Sequence, residues 1–192
     1  MYDKFKVYLE SVSENDADDI ARNANDYEIA YNVASAGAFP YPYGLDDARA
    51  FISSTKKAAS DGTGCHFGIH LAGSGRLIGA AGIIGRDAEA KSCSIGYWLG
   101  KEHWGRGYAK EAVILLSTFT FMDRDTRTVN ADVLSFNSRS IAMLGSVGFS
   151  REQSYREMRA HYSGYAEELR YSIGKEEFLE SYRQISENVV VS

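Results

Sequence analysis

One segment constrains this chain more than any other. Ile95-Gly-Tyr-Trp-Leu-Gly-Lys-Glu-His-Trp-Gly-Arg-Gly-Tyr-Ala-Lys-Glu-Ala112 reads as a strand, a glycine loop and the start of a helix. Gly105, Gly107 and Ala109 let backbone N–H groups come close to a ligand. The helix that follows turns its free N–H groups and its positive end toward the same place, so the segment predicts a cradle for a phosphate. Arg106 and Lys110 add full positive charge. The P-loop pattern GxxxxGK followed by Ser or Thr is absent. The dinucleotide fingerprint GxGxxG or GxGxxA is broken, because Gly105-Arg-Gly107-Tyr-Ala-Lys110 ends in lysine. The plain alternative at this point is a glycine hinge before a core helix.

Composition narrows the class. The 192 residues predict one domain, 1–192, with a core over about 5–180 and a tail at 186–192. Hydrophobic residues at 44% and charged residues at 24% exclude a disordered chain, and two prolines exclude a proline-rich linker. The net charge of −5 and a pI near 5.4 argue against nucleic-acid binding by broad electrostatics. Cys65 and Cys93 form neither a CxxC pair nor a zinc pattern, which agrees with a reducing cytoplasm. His66, His70 and His161 lack partners at metal-ligand spacing, so no metal is expected. The first residues show no apolar signal region, and no run approaches the ~18 apolar residues of a membrane span.

Along the chain, Phe5–Leu9 alternates as a strand and Glu14–Val33 reads as a helix broken near Asn25. Phe39-Pro-Tyr-Pro-Tyr43 is irregular, since its prolines lack donors. A helix runs from Asp46 to about Ser60. Strands follow at His66–Leu71, Arg76–Ile84 and Ser92–Leu99. A glycine loop covers Lys101–Ala109, and Lys110–Phe121 is apolar at helical spacing. Strand Val129–Leu134, helix Ser138–Ser146, a strand opening at Gly148-Phe149, strand Leu169–Ile173 and helix Glu176–Ile185 complete the order. This alternation predicts an α/β (α+β) domain, with one mixed, mostly antiparallel sheet of about seven strands flanked by helices.

A second motif follows the loop. Asn137-Ser-Arg-Ser140-Ile-Ala-Met-Leu144, with Gly148-Phe149 behind it, resembles the N-x-x-S-x-x-x-L signature of the GNAT N-acetyltransferase superfamily. Trp104-Gly-Arg-Gly107-Tyr-Ala109 resembles the pyrophosphate loop of the same superfamily. It departs at the first position, where Trp104 replaces Gln or Arg. Taken alone, Asn137 reads as a plain helix cap. Phe39–Tyr43 with Asp46-Asp47-Ala48, Leu77–Ile83, and Arg156-Glu157 through Leu169-Arg-Tyr-Ser to Phe178 resemble the ribosomal-protein (Rim-type) N-terminal acetyltransferases. The likeness covers roughly residues 5–180.

This resemblance implies the GNAT acyl-CoA N-acyltransferase fold and direct acetyl transfer from acetyl-CoA to an amine. The cofactor would be held by Trp104, Gly105, Arg106, Gly107, Tyr108, Ala109 and Lys110 at the pyrophosphate, and by Trp98, Leu99, Asn137 and Ser140 along the pantetheine arm. A backbone N–H near Trp98 or Leu99 would face the thioester oxygen, with Gly96 or Gly100 permitting a bulge. Ser140 is the first candidate to give the leaving thiolate a proton, or else only bonds the cofactor. Tyr97 is the second candidate, with a half-buried strand aromatic as its plain alternative. His103 stands just before the loop as an acid–base candidate or an incidental surface histidine.

No carboxylate lies on the strand Ser92–Leu99. A glutamate base known in relatives falls at about Arg159, so a dedicated base is in doubt. Glu167-Glu168 would attract a cationic acceptor or simply be solvated. Phe39–Tyr43 would line an acceptor cleft or serve as a packed connector. The implied acceptor is a protein N-terminal α-amino group. The alternatives are a small amine (polyamine, amino acid or antibiotic) and, in a different class, an acyl-CoA sensor without turnover. A dinucleotide oxidoreductase ranks below these. The expected partners are acetyl-CoA and the amine, with no nucleic acid and no membrane, in a cytoplasmic protein. A homodimer is the family-level expectation.

Overall fold

The computed structural model describes residues 5–33, 39–159 and 164–186. Seven strands form one sheet: β1 Val7–Glu10, β2 Cys65–Leu71, β3 Leu77–Asp87, β4 Ser92–Leu99, β5 Thr128–Leu134, β6 Ser150–Arg159 and β7 Gly164–Gly174. Their spatial order is β1-β2-β3-β4-β5-β7-β6. Every neighbouring pair is antiparallel except β4 and β5, which run parallel. The expected sheet is therefore present, and its one parallel joint lies beside the glycine loop.

Six helices flank it: α1 Ala17–Ala24, α2 Tyr27–Val33, α3 Leu45–Asp61, α4 Tyr108–Met122, α5 Ser138–Val147 and α6 Lys175–Ser186. The expected break near Asn25 separates α1 from α2. There the Asp26 side chain accepts from the Glu28 N–H at 2.8 Å, and the Asn25 side chain accepts from the Tyr43 N–H at 3.0 Å. Phe39–Tyr43 is irregular, as its prolines require.

Burial divides the core into two clusters on opposite faces of the sheet. Val113 and Leu116 of α4 and Leu144 of α5 pack on Ile95, Val129, Leu169 and Ile173. Ile20, Ile29 and Ile52 of α1, α2 and α3 pack on Leu77, Ala80 and Trp98. α4 is apolar nearly all round because it is covered on every side. Thr118 and Thr120, buried within it, donate to the carbonyls of Ile114 and Leu116, each at 2.8 Å.

The β4–β5 ladder ends at Ile95↔Ala131, although β4 continues to Leu99 and β5 to Leu134. The two strands part beyond that pair. β4 stays closely packed on β3 instead. A Cβ on Gly79 would lie 2.2 Å from the Trp98 carbonyl oxygen, so the close approach at this position requires glycine. Neither Gly96 nor Gly100 forms the expected bulge. Gly96 pairs regularly with Gly82, and the irregularity falls on β3, between Ile83 and Gly85. Gly100 ends the strand against Asn23, whose Oδ1 would lie 2.2 Å from an added Cβ.

Candidate active site

The gap between β4 and β5 opens into a cavity of about 1460 Å³ that reaches both faces of the sheet. Hydrogen-bond alternation decides which backbone groups face the gap. The Gly100 N–H donates to the Ile78 carbonyl at 2.9 Å, and Ala80 pairs with Trp98 in the same register. Trp98 therefore spends its N–H on β3, while the N–H groups of Tyr97 and Leu99 point to the β5 side. Of the two N–H groups expected to face a thioester, that of Leu99 points into the gap and that of Trp98 does not. The Leu99 carbonyl accepts from Trp104 Nε1 at 2.8 Å, which fixes the loop against the end of the strand.

The glycine loop sits at the open end of this gap. Gly105 has φ +73° and Gly107 has φ +84°, and an added Cβ at either would meet nothing within 4 Å. The glycines are required by backbone conformation alone. Gly107 caps α4, so the helix starts at Tyr108, two residues earlier than expected. Tyr108 and Ala109 consequently lie in the first turn, where N–H groups lack intrahelical partners. Gly105, Gly107, Tyr108, Ala109 and Lys110 all line the cavity, and Lys110 Nζ donates to the Ser146 carbonyl at 2.9 Å. Arg106 is exposed on the loop and does not line the cavity wall.

On the other side of the gap, α5 carries the second motif. The Asn137 side chain accepts from the Ser140 N–H at 3.2 Å, so it is the cap of α5 as well as a residue of the cavity wall. Tyr97 and Ser140, the two proton-donor candidates, both line the cavity, and the Ser140 side chain is near enough to act on the Tyr97 hydroxyl. Burial pushes the Tyr97 hydroxyl up to about 12, against the opposing pull of Ser140. Arg139 lies 4.5 Å over the Trp104 ring and donates to Glu28 of α2 at 2.8 Å. Lys101 bridges the same Glu28 at 2.8 Å. These two cations hold the Glu28 carboxyl below its ordinary range. The glycine loop, α5 and α2 are thereby joined at the mouth.

His103 lines the cavity, and its Nδ1 is buried without a hydrogen-bond partner among the described residues. Burial lowers its pKa, so it is neutral near pH 7. Phe39, Pro40 and Tyr43 line the wall on the α3 side, and Phe39 packs edge-on against Trp98 at 5.7 Å. The segment is thus both packed connector and cleft wall.

Glu167 and Glu168 do not behave as a solvated pair. Glu167 is exposed, whereas Glu168 is buried, lines the cavity and accepts from the Tyr155 hydroxyl at 2.8 Å. Asp132 and Arg170, which sequence reading did not single out, face the same space in a bidentate pair with both contacts at 2.8 Å. The signal available was strand alternation on β7, which places residues 168, 170 and 172 on one face. Arg159 ends β6, and its side chain, like all of His161, lies outside what is described. Among the described residues no cluster of His, Cys, Asp and Glu could hold a metal ion. No described helix is long and apolar enough to cross a membrane.

The arrangement fits a ligand that is anionic at one end and extended along its length. Free N–H groups and a helix N-terminus receive the anion, and an open strand edge receives the extended arm. A family model described as an acetyltransferase (GNAT) domain matches residues 6–150. A Bacillus licheniformis protein named "uncharacterized N-acetyltransferase p20" is 32% identical over 113 residues, which are 59% of this chain and 64% of that one. The chain thus spans less than two thirds of that relative's length. In fold it is similar to Mycobacterium smegmatis RimJ in complex with CoA-disulfide. The TM-score is 0.79 and the identity 23%, over 89% of this chain and 83% of that one. It is also similar to the Vibrio cholerae spermidine N-acetyltransferase in complex with CoA and spermine. Here the TM-score is 0.74 and the identity 19%, over 91% of this chain and 98% of that one.

Proposed function

Because the chain belongs to the GNAT acetyltransferase domain family, we propose that it moves an acetyl group from acetyl-CoA to a primary amine, the N-terminal α-amino group of a protein. One observation carries this reading. The β4–β5 ladder ends at Ile95↔Ala131, and the glycine-capped start of α4, the free edge of β4 and the Tyr97–Ser140 pair all line the space that opens there.

Gly105 to Lys110, with Arg106 flanking, would hold the pyrophosphate. Tyr97 and Leu99 would offer backbone groups to the pantetheine amides, with Trp98, Asn137 and Ser140 along the arm. Bound acetyl-CoA supplies the activated thioester. The Leu99 N–H, pointed into the gap, is placed to polarise its carbonyl. Tyr97 stays protonated through neutral pH, so it can give a proton to sulfur directly or through Ser140. An α-amino group has a pKa of about 8 and needs less help to become neutral than a lysine-type amine at about 10.4.

The likeness in fold to RimL, named a ribosomal L7/L12 alpha-N-protein acetyltransferase, supports a protein acceptor. A second reading, a polyamine acceptor, is favoured by Asp47, Asp132 and Glu168 on the acceptor wall and by the likeness to spermidine acetyltransferase. Release of free thiol from acetyl-CoA decides between them. The proposal expects turnover with a short peptide carrying an N-terminal alanine, and a drop of at least tenfold in kcat for Tyr97→Phe. Turnover with spermidine alone would establish the second reading. CoA binding with no thiol release from either amine would leave a sensor and refute the enzymatic one.

A further inference from the structure

Among the described residues Glu168 is the one carboxylate buried by the fold, at 4% exposure. Burying a carboxylate is costly unless it is bonded, and Glu168 is held in place by hydrogen bonding at the cavity wall. β7 alternates across the sheet. Leu169, Tyr171 and Ile173 join the cluster under α4, so Glu168 and Arg170 stand on the other face, the one that Trp98 shares with α1, α2 and α3. Glu168 is in register with Leu134 of β5 and with Tyr155 of β6. Continuing the parallel register from Ile95↔Ala131 brings Leu134 to the height of Trp98. Glu168 therefore lies level with the end of β4, beyond the gap.

Its surroundings separate its role from that of its neighbours. The Tyr155 hydroxyl donates to Glu168 Oε2 at 2.8 Å. Arg170, the next residue on this face, commits both Nε and a terminal nitrogen to Asp132, and its guanidinium lies 5.7 Å over the Tyr155 ring. All four side chains line the cavity. Among the described residues, the charged and titratable groups placed with Glu168 include Tyr155 from β6, Asp132 from β5 and Arg170 from β7. Tyr43, Asp47 and His66 line the wall on the α3 side.

We propose that Glu168, oriented by Tyr155, receives the ammonium group of the acceptor and takes its proton. This rests on the acetyltransferase reading above. The nitrogen of an acceptor that arrives as R–NH3+ loses two protons on becoming an amide. One passes to Glu168 and on to solvent. The other ends on sulfur as the N–C bond forms and the C–S bond breaks. Tyr97 and Ser140, across the gap, serve the sulfur, so the two proton paths are separate.

The test compares wild type with Glu168→Gln and Tyr155→Phe, using the alanine peptide and spermidine as acceptors and calorimetry with CoA. The expectation is a fall of about 100-fold in kcat/KM at pH 7 for Glu168→Gln. That loss should narrow as pH rises toward the pKa of the amine, with CoA affinity unchanged. Tyr155→Phe removes a donor from the carboxylate and makes it easier to protonate, so the acid limb of kcat/KM moves to higher pH. A merely structural role would leave that limb in place. Wild-type rates and pH profile in Glu168→Gln would overturn the proposal, as would a loss confined to CoA affinity. If wild type binds CoA but turns over neither amine, the acetyltransferase reading fails separately. The proposal then requires either amine to shift the Glu168 carboxyl carbon resonance, and no shift overturns it.

Discussion

Tyr97 and Tyr43 line the same cavity, and burial pushes both hydroxyls up to about 12. For Tyr43, Asp47 adds to the rise. The unfolded chain releases these protons near pH 10, so between pH 10 and 12 the native state binds more protons than the unfolded state. Stability is therefore full below pH 10 and falls as pH rises through 12. For the well-buried Tyr43 the loss is about 2–3 kcal/mol. Urea unfolding at pH 9 and pH 11.5 should show a smaller alkaline loss in Tyr43→Phe than in wild type, and identical losses would refute the assignment. At this scale the sequence was informative where it named residues of the strand end and of the second motif: Tyr97 and Ser140 line one cavity. Of the two readings left open for Glu168, solvation is excluded by its burial, which depends on the pairing of β7 with both β5 and β6 and which no local pattern reveals. Asn137 kept two readings open in sequence, and the structure shows that cap and cavity wall are compatible.

Among the elements, α4 and the loop before it carry the anion-binding argument. Gly107 at φ +84° sits where a side chain would find open space, so substitution costs only backbone strain. Gly107→Ala should lose about 1–2 kcal/mol in urea unfolding and weaken CoA binding, because relaxing that φ re-aims the first N–H groups of the helix. Unchanged stability and affinity would show that the loop tolerates another conformation. The order and type of the elements were legible from alternation and helical spacing. Their ends were less so. The sequence placed Tyr108 and Ala109 in the loop, since a glycine cap and a glycine hinge look alike before φ is known. The irregularity in the β3–β4 ladder falls at Ile84, beside Gly85, whereas Gly96 pairs regularly and Gly100 ends the strand against Asn23.

At the scale of the whole molecule, two apolar clusters on opposite faces hold one sheet, and the single parallel joint in that sheet is where it opens. On the proposed reading, a cavity reaching both faces would let two substrates meet from different sides: an anionic, extended one from the α4 end, and a cationic one from the face shared by α1, α2 and α3. Sequence could identify the first side because the glycine loop and the N-x-x-S motif are contiguous. The second side is assembled from β5, β6, β7 and the Phe39–Tyr43 segment, whose residues are distant in the chain. Phe39–Tyr43 and Glu168 stood in the sequence only as candidates, and Asp132, Tyr155 and Arg170 joined them only with the fold. The central claim, that the β4–β5 gap with its glycine cradle is an acyl-CoA site, is tested most directly by isothermal titration of the protein with CoA and acetyl-CoA, beside Arg106→Glu. The account predicts one site per chain for both ligands, weakened at least tenfold by the charge reversal next to the pyrophosphate. An absence of binding to the wild type would contradict it and leave the loop as a hinge before a core helix.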